Sequence, residues 1–262
     1  MKRIASVVLL GSGNVATHLG RALLARGIPV VQVYSRNHNA ARRLAGELSA
    51  EATDHLDQLT PDAGLYMLAV SDDAIAQLAA SFPFKDKLLV HTSGSTDMDV
   101  LKAGSRHYGV FYPLQTFSRE VPVAFGSVPL CLEVADPVYK PALQHFAETL
   151  SDTVVWVSSE KRRQLHLAAV FACNFVNHMY AIAAEILDGE DAFDLLRPLI
   201  KETARKALEA DPRLVQTGPA RRNNKVIMEK HAAMLAGKED LQRLYNFVSQ
   251  SIVSFYHKTN SA

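Results

Sequence analysis

Residues Gly11-Ser12-Gly13-Asn14-Val15-Ala16 fit the pattern G-x-G-x-x-G/A. In that pattern the first glycine permits a tight turn, and the second lets a pyrophosphate approach the backbone. A small sixth residue keeps the next helix close to its strand. The free N–H groups and partial positive charge at the helix start would then meet the phosphates. The backbone of Gly11, Ser12, Gly13, Asn14 and Val15 is therefore expected to hold a dinucleotide. A turn without a ligand would not need both glycines. The second expected strand ends in Tyr34-Ser35-Arg36-Asn37, which contains no carboxylate. An acidic residue there would bond a ribose 2′-hydroxyl. A guanidinium pairs instead with a 2′-phosphate, and a hydroxyl adds a hydrogen bond. Ser35 and Arg36 thus favour NADP over NAD.

Three more strand ends should face the same edge, because ligands of open α/β sheets lie beyond the carboxyl ends of the strands. Val70 and Ser71 would lie along the cofactor ribose, although Ser71 could simply cap the next helix. His91-Thr92-Ser93-Gly94-Ser95 makes a polar turn. Thr92 is expected on the cofactor side; Ser93 and Gly94 could hold a carbonyl or carboxylate. Tyr112 and Gln115 follow the fifth strand as further substrate contacts. A long helical pattern later in the chain carries His166, Asn174, Asn177 and His178. Asn174 and His178 are i,i+4 neighbours. His166 and Asn174 lie about 80° apart around the helix and could flank one pocket. Unpaired buried polar groups are costly, so these need partners, whether a substrate or the protein itself. A histidine titrates near neutral pH, which makes His166 a candidate acid–base group. No histidine or cysteine spacing suits zinc.

The elements that must position these residues alternate. Ile4 to Leu10, Pro29 to Tyr34, Leu65 to Val70, Leu88 to His91, Gly109 to Tyr112, Val128 to Val134 and Thr153 to Val157 have strand patterns. Helical patterns separate most of them, at Val15 to Arg26, Asn37 to Leu48, Ser71 to Ala80 and Pro137 to Leu150. Such alternation predicts βαβ units and a mostly parallel, doubly wound sheet. From Glu160 on only helices are expected: Glu160 to Leu187, closing at Asp188-Gly189, then Asp194 to Ala210, Asn223 to Ala236 and Glu239 to Tyr256. The division expected is a Rossmann-like α/β domain over 1–157 and an all-α domain over 158–262.

Composition narrows the class. The 262 residues are 48% hydrophobic and 21% charged, ordinary globular values. Lys plus Arg number 28 and Asp plus Glu 27, without the basic excess of a nucleic-acid binder. Cys131 and Cys173 cannot make a disulfide framework and read as thiols of a reducing compartment, the cytoplasm. No signal peptide and no uninterrupted apolar stretch of about 18 residues is visible, so no membrane partner is expected.

With these motifs in place, the chain resembles the 6-phosphogluconate-dehydrogenase-like superfamily, which includes pyrroline-5-carboxylate reductase and β-hydroxyacid dehydrogenases. The GSGNVA loop, the strand ending in YSR, HTSGS and one long helix into a helical domain carry that resemblance. The strings LHLAAVFACNFVNH and QTGPARRN are similar to NADP oxidoreductases with a helical C-terminal domain of unknown function. The resemblance implies an NADP-dependent oxidoreductase acting on a small carbonyl or imine, and a homodimer formed through the helical domain. It also implies Ser93 and Gly94 at the substrate and Asn174 as an orienting group; together with the residues read above, Ser93, Asn174 and His166 are the expected catalytic groups, with Ser93, Gly94, Tyr112, Gln115 and His178 around the substrate. Where hydroxyacid dehydrogenases carry a lysine one turn before the asparagine, this chain has Val170, which cannot transfer a proton. That departure also fits a different reading: a dinucleotide-binding sensor or interaction protein without catalysis.

Overall fold

A computed structural model of the chain describes residues 3–187 and 192–257. It divides into two compact units, Met1–Tyr180 and Ala181–Ala262. Among the described residues of the first unit, eight strands form one sheet: β1 (Val7–Leu10), β2 (Val30–Tyr34), β3 (Glu51–Thr53), β4 (Leu65–Leu68), β5 (Leu88–His91), β6 (His107–Pro113), β7 (Leu130–Val134) and β8 (Val154–Trp156). Their order is β3-β2-β1-β4-β5-β6-β7-β8. The pairs from β3 to β6 are parallel; β7 runs antiparallel to β6, and β8 parallel to β7. The mostly parallel, doubly wound sheet is as expected. The short edge strand β3 is not. Its Glu-Ala-Thr sequence has no apolar run, and it exists by pairing with β2.

The continuous apolar run of β1 has a direct cause. Val7 and Leu9 pack into the core on one face of the sheet, Val8 and Leu10 into the core on the other, and all four are fully buried. The crossovers include α1 (Asn14–Ala25), α2 (His38–Leu48), α3 (Asp72–Ala80) and α4 (Lys140–Glu148). Gly27 closes α1 at φ +67°, and the Asn37 side chain caps α2 by accepting from the Ala40 N–H at 3.1 Å. Because the chain leaves β1 for β2 on one side and returns to β4 on the other, a crevice opens between the carboxyl ends of β1 and β4.

Helix α5 (Ser159–Ile186) follows β8 directly. Ser158 caps it, and a π-helical segment, Val170–Phe175, interrupts it. Its expected end at Asp188-Gly189 lies outside the described residues. The expectation that no segment could cross a membrane must be corrected: by length and composition α5 qualifies. His166, Asn174, Asn177 and His178 interrupt the apolar run but carry no fixed charge, so average hydropathy stays high. One such helix is also what soluble proteins present at cores and interfaces.

The start of α5 is held by a buried charge. Arg162 has 0% of its surface exposed, and its guanidinium pairs with Glu133 of β7 and donates to the Thr96 carbonyl. Glu133 also accepts from the Ser159 N–H at 2.9 Å and the Ser159 hydroxyl at 2.8 Å. The second unit holds α6 (Arg197–Glu209), α7 (Lys225–Met234) and α8 (Glu239–His257). Pro198 sits in the first turn of α6, where its missing N–H is harmless. Gln242 of α8 donates to the Ala232 carbonyl of α7 at 2.7 Å, and Gly237 turns the chain between them at φ +83°.

His91, at the end of β5, is fully buried. Its Nδ1 accepts from the Ser93 N–H at 3.2 Å. Burial, reinforced by the nearby Arg162 charge, lowers its pKa to about 4. Between that value and the unfolded pKa of roughly 6.5, the unfolded chain binds the extra proton, so stability rises with pH across this window. The full contribution, of order 3 kcal/mol, is present above pH ~6.5 and is lost as pH falls toward 4. Urea unfolding of the full chain between pH 4 and 7 should show this slope in the wild type and a flatter one in His91→Asn. Equal slopes would refute the assignment.

Candidate active site

Two cavities open at the carboxyl edge of the sheet. The first, of about 490 Å³, is lined by Gly11 to Val15, Tyr34 to Asn37, and Ala69, Val70 and Ser71. It gathers every residue expected at the cofactor except Thr92, which is buried and donates its hydroxyl to the Leu68 carbonyl at 3.3 Å. The two glycines of the loop differ. Gly11 has φ +132°, and a Cβ there would meet the Ala69 carbonyl oxygen at 2.1 Å. Gly13 has an ordinary φ of −80°, and a Cβ on it would meet nothing within 4 Å. Gly11 therefore serves the fold, while the space over Gly13 is open. The Ser12 hydroxyl donates to Ser35 at 3.0 Å, tying the loop to the end of β2. Arg36 is exposed beside them. Ser71 sits at the N-cap of α3, but its side chain makes no cap hydrogen bond.

A segment not singled out in the sequence lies against this loop. Asn14 donates to the Phe117 carbonyl at 2.9 Å, His18 Nε2 bonds the Ser118 carbonyl at 3.1 Å, and Arg119 donates to the Ser12 carbonyl at 2.7 Å. The His18 ring stacks on Phe117 with centroids 4.9 Å apart. The Asn14 side chain thus serves the β6–β7 connection. Its partners lie about 100 residues away in sequence, and no local pattern marks them.

The same connection lines the second cavity, of about 780 Å³, together with one face of α5. Tyr112, Gln115, His166 and Asn174 all reach it, joined by Asn177 and Cys173. The Tyr112 hydroxyl is 3.0 Å from His166 Nδ1, and the rings meet edge to face. Gly94 lies directly against both: a Cβ there would stand 2.6 Å from His166 Nδ1 and 2.8 Å from Tyr112 Cζ. Tyr112 is 8% exposed. Burial, with the nearby Cys131 thiol, pushes its pKa up to about 12, so it stays a protonated donor.

Ser93 and His178 are not among the residues lining this cavity. The Ser93 hydroxyl accepts from the Ser95 N–H at 3.1 Å and the Thr96 N–H at 3.0 Å, and donates to the Thr96 hydroxyl at 3.0 Å. Its hydrogen-bonding capacity is spent on the turn. Ser95 in turn bonds the Asp72 carboxylate, which places a negative charge at the outer end of that turn. His178 is exposed on α5.

Residues 6–94 match the family described as "NADP oxidoreductase coenzyme F420-dependent", and residues 128–252 match a domain of unknown function, DUF2520. No curated protein matches the chain. Among solved structures, BF3122 from Bacteroides fragilis, assigned as an NADP oxidoreductase, is 44% identical with TM-score 0.90, covering 95% of this chain and 98% of its own. A reductive aminase from Aspergillus terreus, solved with NADPH and ethyl-5-oxohexanoate, is 14% identical with TM-score 0.68, covering 94% of each chain. A pyrroline-5-carboxylate reductase from Coxiella burnetii is 17% identical with TM-score 0.55, covering 99% of this chain and 100% of its own. The last two share the fold. The 44% identity to BF3122 over nearly the whole of both chains places this one in a family of NADP-dependent oxidoreductases that joins a Rossmann-like domain to a DUF2520 domain.

Proposed function

We propose that the chain reduces a small carbonyl or imine compound, with Tyr112 and His166 as its proton-handling pair. The observation that carries this reading is the 3.0 Å Tyr112–His166 contact at the wall of a cavity, on the sheet edge that also bears the dinucleotide cleft. The cleft fits the cofactor. Backbone groups of Gly11 to Val15 would hold its pyrophosphate, Ser35 and Arg36 its 2′-phosphate, and Val70 and Ser71 its ribose. When bound, NADPH supplies a hydride to the substrate carbon. For a carbonyl, the oxygen must then gain a proton. The Tyr112 hydroxyl can give it, because its pKa near 12 lies below that of an alkoxide. His166 is placed to return a proton to the phenolate and to regain one from solvent, so the pair passes one proton to the alcohol in each turnover. Asn174, on the same cavity wall, can orient the carbonyl through its amide. Ser93 supports the site by shaping the turn.

The helical unit exposes large apolar side chains: Leu208 at 88%, Met234 at 81% and Phe247 at 74%. Such a surface is expected to be covered, and pairing of two copies through this unit accounts for it. Buried Cys131 and exposed Cys173 are both free thiols, which fits work in a reducing cytoplasm. Sedimentation at micromolar concentration should give twice the 28.8 kDa chain mass; a monomer carrying these exposed side chains would oppose the pairing.

Gly13→Val should abolish NADPH binding by calorimetry while leaving the melting temperature unchanged. Gly11→Val should fail to fold. Retained NADPH affinity in folded Gly13→Val would overturn the cofactor site. Arg36→Ala should cut the NADPH-over-NADH preference by about 10–100-fold, the worth of a charge-assisted pair. Tyr112→Phe and His166→Gln should each lower kcat for a ketone by roughly 100-fold or more with the Kd for NADPH unchanged. Gly94→Ala, which must push the pair apart, should match them. Unaltered kcat in all three would remove the pair from the chemistry.

A further inference from the structure

We propose that the substrate of the Tyr112–His166 cavity carries no anionic group: it is an uncharged carbonyl compound or a cationic iminium. This rests on the reductase reading above and specifies its substrate class. Among the described residues that line the cavity, none is Asp, Glu, Lys or Arg. The walls are apolar, as at Leu114, Phe117 and Leu165, or neutral and polar, as at Gln115, Asn174 and Asn177.

Two nearby groups that could have met a carboxylate are committed elsewhere. The Ser93 hydroxyl is used within its own turn. The Arg162 guanidinium is fully buried and bound to Glu133 and the Thr96 carbonyl. At the outer end of the turn, Ser95 holds the Asp72 carboxylate. A carboxylate entering this cavity would lose its water and gain no cation, which is unfavourable. A ketone loses little by comparison. The chemistry balances for both. A carbonyl carbon takes the hydride and its oxygen takes a proton from Tyr112. An iminium carbon takes the hydride alone and becomes a neutral amine.

The test uses the full chain saturated with NADP⁺ and three probes of one ring size: cyclohexanol, cyclohexylammonium and cyclohexanecarboxylate. Calorimetry or ligand-observed NMR should show the first two binding about tenfold or more tighter than the carboxylate. Ala172→Arg, on an exposed position of the cavity wall, should raise carboxylate affinity about tenfold. Equal or tighter binding of the carboxylate by the wild type, or no binding of any probe, overturns the proposal. NADPH titration of the same sample separates the two readings. Intact NADPH binding with a carboxylate preference defeats only the substrate class, and loss of NADPH binding defeats both.

Discussion

A guanidinium with none of its surface in water must be paired, and Arg162 is in that position. Its partners come from three places: Glu133 on β7, the Thr96 carbonyl in the turn after β5, and Ser159 at the head of its own helix. Removing one partner of such a buried pair typically costs about 3–5 kcal/mol, because the remaining charge is stranded. The pairing therefore fixes where α5 begins against the sheet and against that turn. His166 lies one helical turn beyond Arg162, on the same face. Once Arg162 is locked, the imidazole has little freedom except to stand over Gly94 and meet Tyr112. The contact at 3.0 Å is downstream of an ion pair that takes no part in the chemistry.

Close approach without side chains does the remaining positioning. At Gly11 the chain passes so near the Ala69 carbonyl that only hydrogen fits. At Gly94 the same device serves a different end, letting the turn slide beneath two rings. Gly13 is different again, since nothing in the protein fills the space above it. Of the glycines in the two turns, Gly11 and Gly94 are required by the protein's own packing, and Gly13 is not.

Much of this was legible in the sequence where the signal is local. The glycine loop, the YSR strand end and the buried β1 run are short, contiguous patterns, and the first two line the cleft. Tyr112, Gln115, His166 and Asn174 were each identifiable as polar groups at strand ends or on an apolar helix, and they share one cavity. What could not be read was who pairs with whom. Tyr112 and His166 are 54 positions apart, and Arg119 and Ser12 are 107 apart. Ser93 shows the converse limit. A serine beside a glycine looks available for a ligand, yet whether its hydroxyl is free depends on the turn it makes, here one that consumes it. Edge strand β3 was hidden because pairing with β2, not its own composition, makes it a strand.

The charges are arranged in a way that fits reduction. With nearly equal numbers of acidic and basic residues, no global field draws in an anionic cofactor. On the proposed reading its phosphates are met by local devices: the N–H groups of the glycine loop and Arg36 at the end of β2. The segment Phe117–Arg119, held by Asn14 and His18, joins this cleft to the neighbouring cavity. Across that junction the character of the lining changes from a polar loop with a cation to neutral walls. A low-dielectric wall strengthens each remaining dipole and keeps the Tyr112 proton in place. An ion on that wall would weaken both effects and would attract a substrate of opposite charge. On the proposed reading, fixed charge at the dinucleotide cleft and none among the described residues of the neighbouring wall both suit the proton that Tyr112 holds.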